Sequence, residues 1–324
     1  MMLRYRLLSR LMQIKVYRSL TSQFVLPKFK HRKTVPLTLG FSLLTLIGFE
    51  KKLSSEDELI LTIKHCVLFI QRNEHDKAEQ LLHVALRQAQ QMGHQLGITY
   101  IYDVMANLAL EREQYDKAKD LFVAVTQRIM SDGATEDDPR VVHISVKLAR
   151  ISHMKKEYTT AQLGYDWCLQ KLNNLLSSDP SDANKQLYAM AEDWYGRLFL
   201  DCDKHDLGLT YMKNALDIMK DLSNLEPEHL VIQLNDIGTV YDRLGKIDES
   251  IDYFGKAIDL GKKIPEMTDL GAIYVNLGRA YIKKNLLEMA RKSCGFGWRL
   301  GFTTKNEDIK QEAERCLKEI KNLA

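Results

Sequence analysis

Six small residues, Ala78, Ala118, Ala161, Gly208, Ser250 and Ala290, recur along this 324-residue chain at spacings of 40, 43, 47, 42 and 40. Each stands in the same local pattern. Two positions earlier comes an acid or a threonine: Asp76, Asp116, Thr159, Asp206, Asp248 and Glu288. Four positions later comes a larger apolar or sulphur-bearing side chain: Leu82, Phe122, Tyr165, Met212, Phe254 and Cys294. Seven positions later the side chain is again small or modest: Ala85, Val125, Cys168, Ala215, Ala257 and Gly297. A fixed period of this length is the mark of a stacked array in which each unit buries its apolar side only against its neighbours.

The pattern predicts helices. Positions 0, +4 and +7 fall on one face of a chain that turns every 3.6 residues. The acid or threonine is expected to cap the first turn, where backbone N–H groups lack partners. In Asp76-Lys77-Ala78-Glu79 the acid is followed three residues on by a glutamate, close to a capping box. Twelve residues upstream of each small residue lies another: Cys66, Ala106, Ala149, Gly196, Gly238 and Gly278. Each unit therefore reads as a helical hairpin closed through small residues. Pro139, Pro180, Pro227 and Pro265 are expected between units, because proline costs about 3 kcal/mol in a helix interior. No stretch alternates with period two for long enough to predict a strand, so the array is expected to be all-α.

Within this frame, Leu234, Ile237, Gly238, Tyr241, Gly245, Ser250, Phe254 and Ala257 resemble a tetratricopeptide repeat, with its tyrosine, glycine, small and aromatic residues in register. Such a unit is usually about 34 residues long, so the units here are the lengthened kind. The resemblance implies a right-handed superhelical array of about six hairpins over residues 50–302. An amphipathic tail, Glu307 to Leu323, closes the last apolar face within a capping segment at 303–324. The sixth unit departs most, since Cys294-Gly295-Phe296-Gly297-Trp298 places two glycines in a helix that should favour neither.

The first fifty residues differ in kind. Nine of the chain's 46 basic residues lie between Arg4 and Lys33, and the first acid is Glu50. A basic, acid-free, moderately amphipathic N-terminus resembles a mitochondrial transit peptide, placed here at residues 1–33, the alternatives being a basic arm for nucleic acid or anionic lipid, or a disordered tail. Without it the chain carries 37 basic against 43 acidic residues, so the body offers no general attraction for a phosphate backbone. Residues 34–49 are uncharged and mostly apolar. As a helix they would cover roughly 24 Å, short of the ~30 Å hydrocarbon core, and they are expected to attach to a membrane as a short span or an interfacial anchor, the alternative being the distal part of the presequence.

Catalytic chemistry is not expected, and neither are cofactor or metal ligands. Asp201-Cys202-Asp203-Lys204-His205 is the densest run of possible metal ligands, but its Cys-x-x-His has no second half nearby and structural zinc needs four ligands. No glycine-rich phosphate loop ends in Lys-Ser/Thr, and no serine stands in a nucleophile elbow. Trp167, Trp194 and Trp298 are expected in the core. Cys66, Cys168, Cys202, Cys294 and Cys316 show no paired spacing, so a disulfide framework is not expected, and buried cysteine behaves as a small hydrophobe.

Binding remains. By the family's phasing the first helix of each hairpin lines a concave groove, and its candidate residues are Lys64, Asn107, Lys147, Arg150, Arg197, Asn235, Arg243, Asn276 and Arg279, with Asp103 and Asp236 beside them. The four arginines would suit an acidic or carboxylate-bearing segment, since a guanidinium forks onto carboxylates. Asp236 would repel the acidic tail of a chaperone.

The segments 100–109, 144–149 and 160–169 resemble a mitochondrial branch of the tetratricopeptide family. That resemblance implies an inner-membrane-associated, matrix-facing protein that binds respiratory complex III. It also implies a role in clearing fragments of the Rieske iron–sulphur subunit. The alternative is a cytosolic cargo or signalling adaptor like the kinesin light chain. Neither reading involves nucleic acid or a small-molecule substrate.

Overall fold

A computed structural model describes residues 54–265 and 267–323. Among them run thirteen α-helices and no strand. They pair in chain order as α1 (Ser55–Gln71) with α2 (His75–Gln91), α3 (Gln95–Glu111) with α4 (Tyr115–Ser131), and α5 (Pro139–Met154) with α6 (Tyr158–Ser178). Next come α7 (Asp182–Asp201) with α8 (His205–Lys220), α9 (Pro227–Arg243) with α10 (Ile247–Gly261), and α11 (Leu270–Lys283) with α12 (Leu287–Thr303). The last helix, α13 (Glu307–Leu323), packs on α11 and α12. The described residues form two compact units, one ending at Ile144 and the other beginning at Ser145, with the division inside α5. The expected transit peptide at 1–33 and the apolar segment at 34–49 lie outside the described residues. No helix among the described residues is long and apolar enough to cross a membrane.

The periodic positions all lie inside. Every small residue of the repeat, its partner twelve residues upstream, and the side chains four and seven residues downstream are buried. In the first unit Cys66, Ala78, Leu82 and Ala85 belong to a core with Leu59, Ile63, Ile101 and Val104. In the second, Tyr165, Tyr195, Phe199 and Tyr211 stack through α6, α7 and α8 with ring centroids 4.5–5.3 Å apart. Such ring pairs add about 0.5–1.5 kcal/mol each beyond the area they bury. Burial also pushes the Cys66 and Cys168 thiols up to about 12, so both are inert packing groups.

The small residues are small because backbones meet there. A Cβ on Gly196 would lie 2.8 Å from the Gly208 carbonyl oxygen, and a Cβ on Gly208 would lie 2.8 Å from that of Gly196. The same reason accounts for one of the two glycines in the second helix of the sixth hairpin. A Cβ on Gly297 would stand 2.7 Å from Val275 Cγ2 and 2.9 Å from the Gly271 oxygen, whereas Gly295 faces open space.

Three features differ from the sequence reading. The acid or threonine lies one residue inside each second helix rather than at its cap; the cap positions are Glu74, Gln114, Glu157, Lys204, Lys246 and Leu286, and none makes a side-chain capping bond. The acid therefore acts through the helix dipole. Hairpins close instead through the backbone: each inner turn has three residues and its middle residue adopts positive φ, at Asn73, Glu113, Lys156, Asp203, Gly245 and Asn285. The amide after it bonds the carbonyl five residues back, as Glu74 does to Phe69 (2.9 Å), which is a Schellman turn. Proline positions are also refined, since Pro139 and Pro227 begin helices, where a missing N–H costs nothing. Finally, Cys294 and Cys316 are joined by a disulfide between α12 and α13. Their 22-residue separation belongs to no motif; the pairing follows from the cap helix lying over the repeat position that Cys294 occupies.

Candidate binding surface

Seven of the nine candidate groove residues fall into two registers of the first helices, Asn235 and Arg243 lying outside them. One residue after the small position stand Asn107, Arg150, Arg197 and Arg279; two before it stand Lys64, Lys147, Asp236 and Asn276. Positions three apart share a helix face, so both registers look the same way.

In the second unit this face carries a hydrogen-bonded polar ladder. Arg197 on α7 reaches Asp193 with Nε and Asp236 of α9 with Nη2, both at 2.7 Å. Asn235 donates to Asp236 at 3.3 Å, and Asn276 on α11 donates to Asn235 at 2.9 Å. Arg197, Asn235 and Asn276 are thus brought together across three helices. Burial works against the Arg197 charge, but the two carboxylates outweigh it and hold the guanidinium charged beyond its usual range. One carboxylate oxygen, Asp193 Oδ1, is buried with no hydrogen-bond partner among the described residues, and burial pushes the Asp236 carboxyl up against the pull of Arg197.

A second cluster lies between α5 and α7. Arg150 Nη1 lies 3.0 Å from His153 Nδ1, and His153 Nε2 lies 2.9 Å from Asp201 Oδ2. Both contacts are satisfied only when the ring is neutral with its proton on Nε2, because a protonated Nδ1 would point at a guanidinium. Burial is the main reason the His153 pKa is lowered, and the Arg150 charge adds to it against the pull of Asp201. Burial would raise the Asp201 carboxyl, yet the His153 hydrogen bond and the Arg150 and Arg243 charges hold it below its ordinary range. The Arg150 guanidinium also lies 5.6 Å from the centre of the Trp194 ring.

The row of arginines expected to await an acidic segment is therefore largely engaged within the protein. Arg197 is locked between two aspartates, Arg150 is buried on Trp194 and His153, and Arg279 pairs with Glu312 of α13. Arg243 is exposed in the last turn of α9, Asn276 is half-buried and Lys147 is buried on α5. In the first unit Lys64 is exposed on α1, and half-buried Asn107 turns its amide back to the Asp103 carbonyl at 2.6 Å. Sequence reasoning missed Asp193, His153, Asp201 and Glu312. Asp193 four residues before Arg197 and His153 three residues after Arg150 stand at spacings that share a helix face and were the available signals; Asp201 and Glu312 pair across 48 and 33 residues and leave no local mark. Of the tryptophans only Trp194 is in the core; Trp167 and Trp298 are half-buried. Asp201, in the run considered for metal, is spent on His153, and no group of three potential ligands converges among the described residues.

The tetratricopeptide repeat model matches residues 234–262, the later part of α9 with α10, and residues 271–294, α11 with the first part of α12. The mitochondrial tetratricopeptide repeat protein 19 homolog of Drosophila melanogaster is 38% identical over 273 residues, covering 84% of this chain and 74% of that protein. Mitochondrial tetratricopeptide repeat protein 19 of Homo sapiens is 29% identical, covering 74% of this chain and 68% of the relative. Among solved structures, a signal-transduction ATPase with a tetratricopeptide repeat sensor from Pyrococcus horikoshii superposes with a TM-score of 0.60 at 16% identity. That match covers 82% of this chain and 37% of the ATPase, and it shows the fold alone.

Proposed function

Because this chain belongs to the family of the mitochondrial tetratricopeptide repeat protein 19, we propose that it is a non-enzymatic protein-binding factor of the mitochondrion that maintains respiratory complex III. In this reading it acts on the matrix face of the inner membrane and promotes clearance of Rieske iron–sulphur subunit fragments. The observation that carries the proposal is the 38% identity across 84% of the chain, which runs through both compact units rather than one repeat. The basic N-terminus and the apolar residues 34–49 agree with it as separate evidence.

The physical basis is an array whose first helices present polar side chains while their other faces are spent on packing. The partner segment meets Arg243 and Asn276 in the second unit and Lys64 and Asn107 in the first, rather than a row of free guanidiniums. Since the Arg197 guanidinium is already held by two carboxylates, a polar segment fits the ladder better than an acidic one. The kinesin-light-chain-like alternative shares the fold, and nothing in the chain beyond the fold favours it.

Affinity capture with the tagged full chain from detergent-solubilised mitochondria tests this. Complex III subunits, the Rieske protein among them, should co-purify with the wild type and fall with Arg243→Glu. If no complex III subunit is enriched over a mock capture, the proposal fails.

A further inference from the structure

The second helices recur every forty-odd residues, so their outward rows can be set side by side. On α10 and its C-cap the row is Asp252, Lys256, Asp259 and Lys262, and it neutralises itself: Lys256 stands 2.6 Å from Asp252, and Lys262 stands 3.9 Å from Asp259. Forty residues later the same row on α12 reads Lys292, Phe296, Arg299 and Phe302. Phe296 is 47% exposed and Phe302 is 62% exposed. The acid of this face, Glu288, lies in the first turn, 3.8 Å from Arg291. Lys292 and Arg299 have no carboxylate within ion-pair distance among the described residues.

The rings are held as a surface. Phe296 stacks on Tyr274 at 5.3 Å with the Arg299 guanidinium 5.7 Å from its centre, and Phe302 stacks on Trp298 at 5.6 Å. Gly295, one residue before Phe296, has nothing within 4 Å of where a side chain would begin. Exposed rings interleaved with cations on one helix face match a bilayer interface, where rings enter the acyl boundary and Lys or Arg stems reach up to lipid phosphates. A second copy is a poor occupant, because cation would face cation. The body of the chain is acidic, with 37 basic against 43 acidic residues beyond the leader, so these cations are a local feature rather than part of a general positive field.

We propose that the outer face of α12 docks on an anionic lipid surface, with Phe296 and Phe302 in the interface and Lys292 and Arg299 on the headgroups. This goes beyond the proposed function and does not depend on which protein the groove holds.

The test uses the full chain carrying Cys202→Ser and Phe302→Cys, labelled at position 302 with an environment-sensitive nitrobenzoxadiazole dye. Cys66 and Cys168 are buried and stay unlabelled. A local dye reads α12 itself, whatever the N-terminal residues do. With vesicles of phosphatidylcholine plus phosphatidylglycerol, the emission should shift to the blue and rise, whereas pure phosphatidylcholine should leave it unchanged. A dye at Asp252→Cys on α10 should not respond. Lys292→Glu with Arg299→Glu should weaken the response midpoint by roughly tenfold or more. Any of three results overturns the proposal: a dye at 302 that stays water-exposed on both vesicles, an equal response on neutral lipid, or a blue shift without vesicles that grows with protein concentration. The last would assign the face to self-association. Because Phe302 projects into solvent, a circular dichroism melt matching wild type should accompany the labelled variant.

Discussion

At the scale of single residues, Arg197 shows how a side chain that looks like a ligand-binding group serves as structure. It is almost enclosed, with a carboxylate on either side. Arg197→Ala would strand two buried carboxylates, and a loss of about 3–5 kcal/mol is expected in urea unfolding. The same substitution made as a binding-site probe would report on folding instead. His153 makes a second case. Its lowered pKa means that the unfolded chain takes up a proton first, so stability is fully present above the ordinary histidine value near 6.5 and is lost as pH falls toward the folded value. The depressed Asp201 carboxyl extends the loss further into acid, below the ordinary aspartate range. A series of melts from neutral pH downward should show a falling midpoint. His153→Gln keeps one donor and one acceptor but cannot charge, and it should flatten the upper part of that fall.

At the scale of elements, the hairpin turn and the helix contact are the units that matter, and both are local enough to be read from sequence in part. Small residues twelve apart reveal the contact because two backbones meet wherever they stand, as at Gly196 and Gly208. The Schellman turns are less legible. Only Gly245 marks a positive-φ position of an inner turn with glycine, and the others use Asn, Asp, Glu or Lys. Left-handed backbone costs an ordinary residue roughly 1–2 kcal/mol, while Asn tolerates it. Lys156→Gly should therefore stabilise by about 0.5–1 kcal/mol, after the added freedom of the unfolded chain is subtracted, and Asn285→Gly should change little. The two glycines of α12 give a paired test. Gly295→Ala should stabilise by roughly 0.5–1 kcal/mol, since Gly is a poor helix former in open space. Gly297→Ala, with nowhere for the methyl to go, should cost about 1–3 kcal/mol. Equal melting temperatures for that pair would contradict the packing described. Pairings between elements were beyond sequence reading: Arg197 finds Asp236 across 39 residues, Arg279 finds Glu312 across 33, and Cys294 finds Cys316 across 22. Periodicity shows which face a residue occupies; it does not show what waits opposite.

At the scale of the whole molecule, fold and charge point the same way. Thirteen described helices in consecutive hairpins bury their sides on each other and leave polar first-helix faces and one aromatic, basic outer face. Family membership places this array among mitochondrial relatives, and the proposed work is to hold complex III in a state from which Rieske fragments leave. The most direct measurement is the amount of Rieske subunit fragment that stays with complex III isolated from cells lacking this chain. The account predicts that fragments accumulate and that re-expressing the wild type clears them. Fragment levels equal to those of unmodified cells, with complex III activity unimpaired, would contradict it.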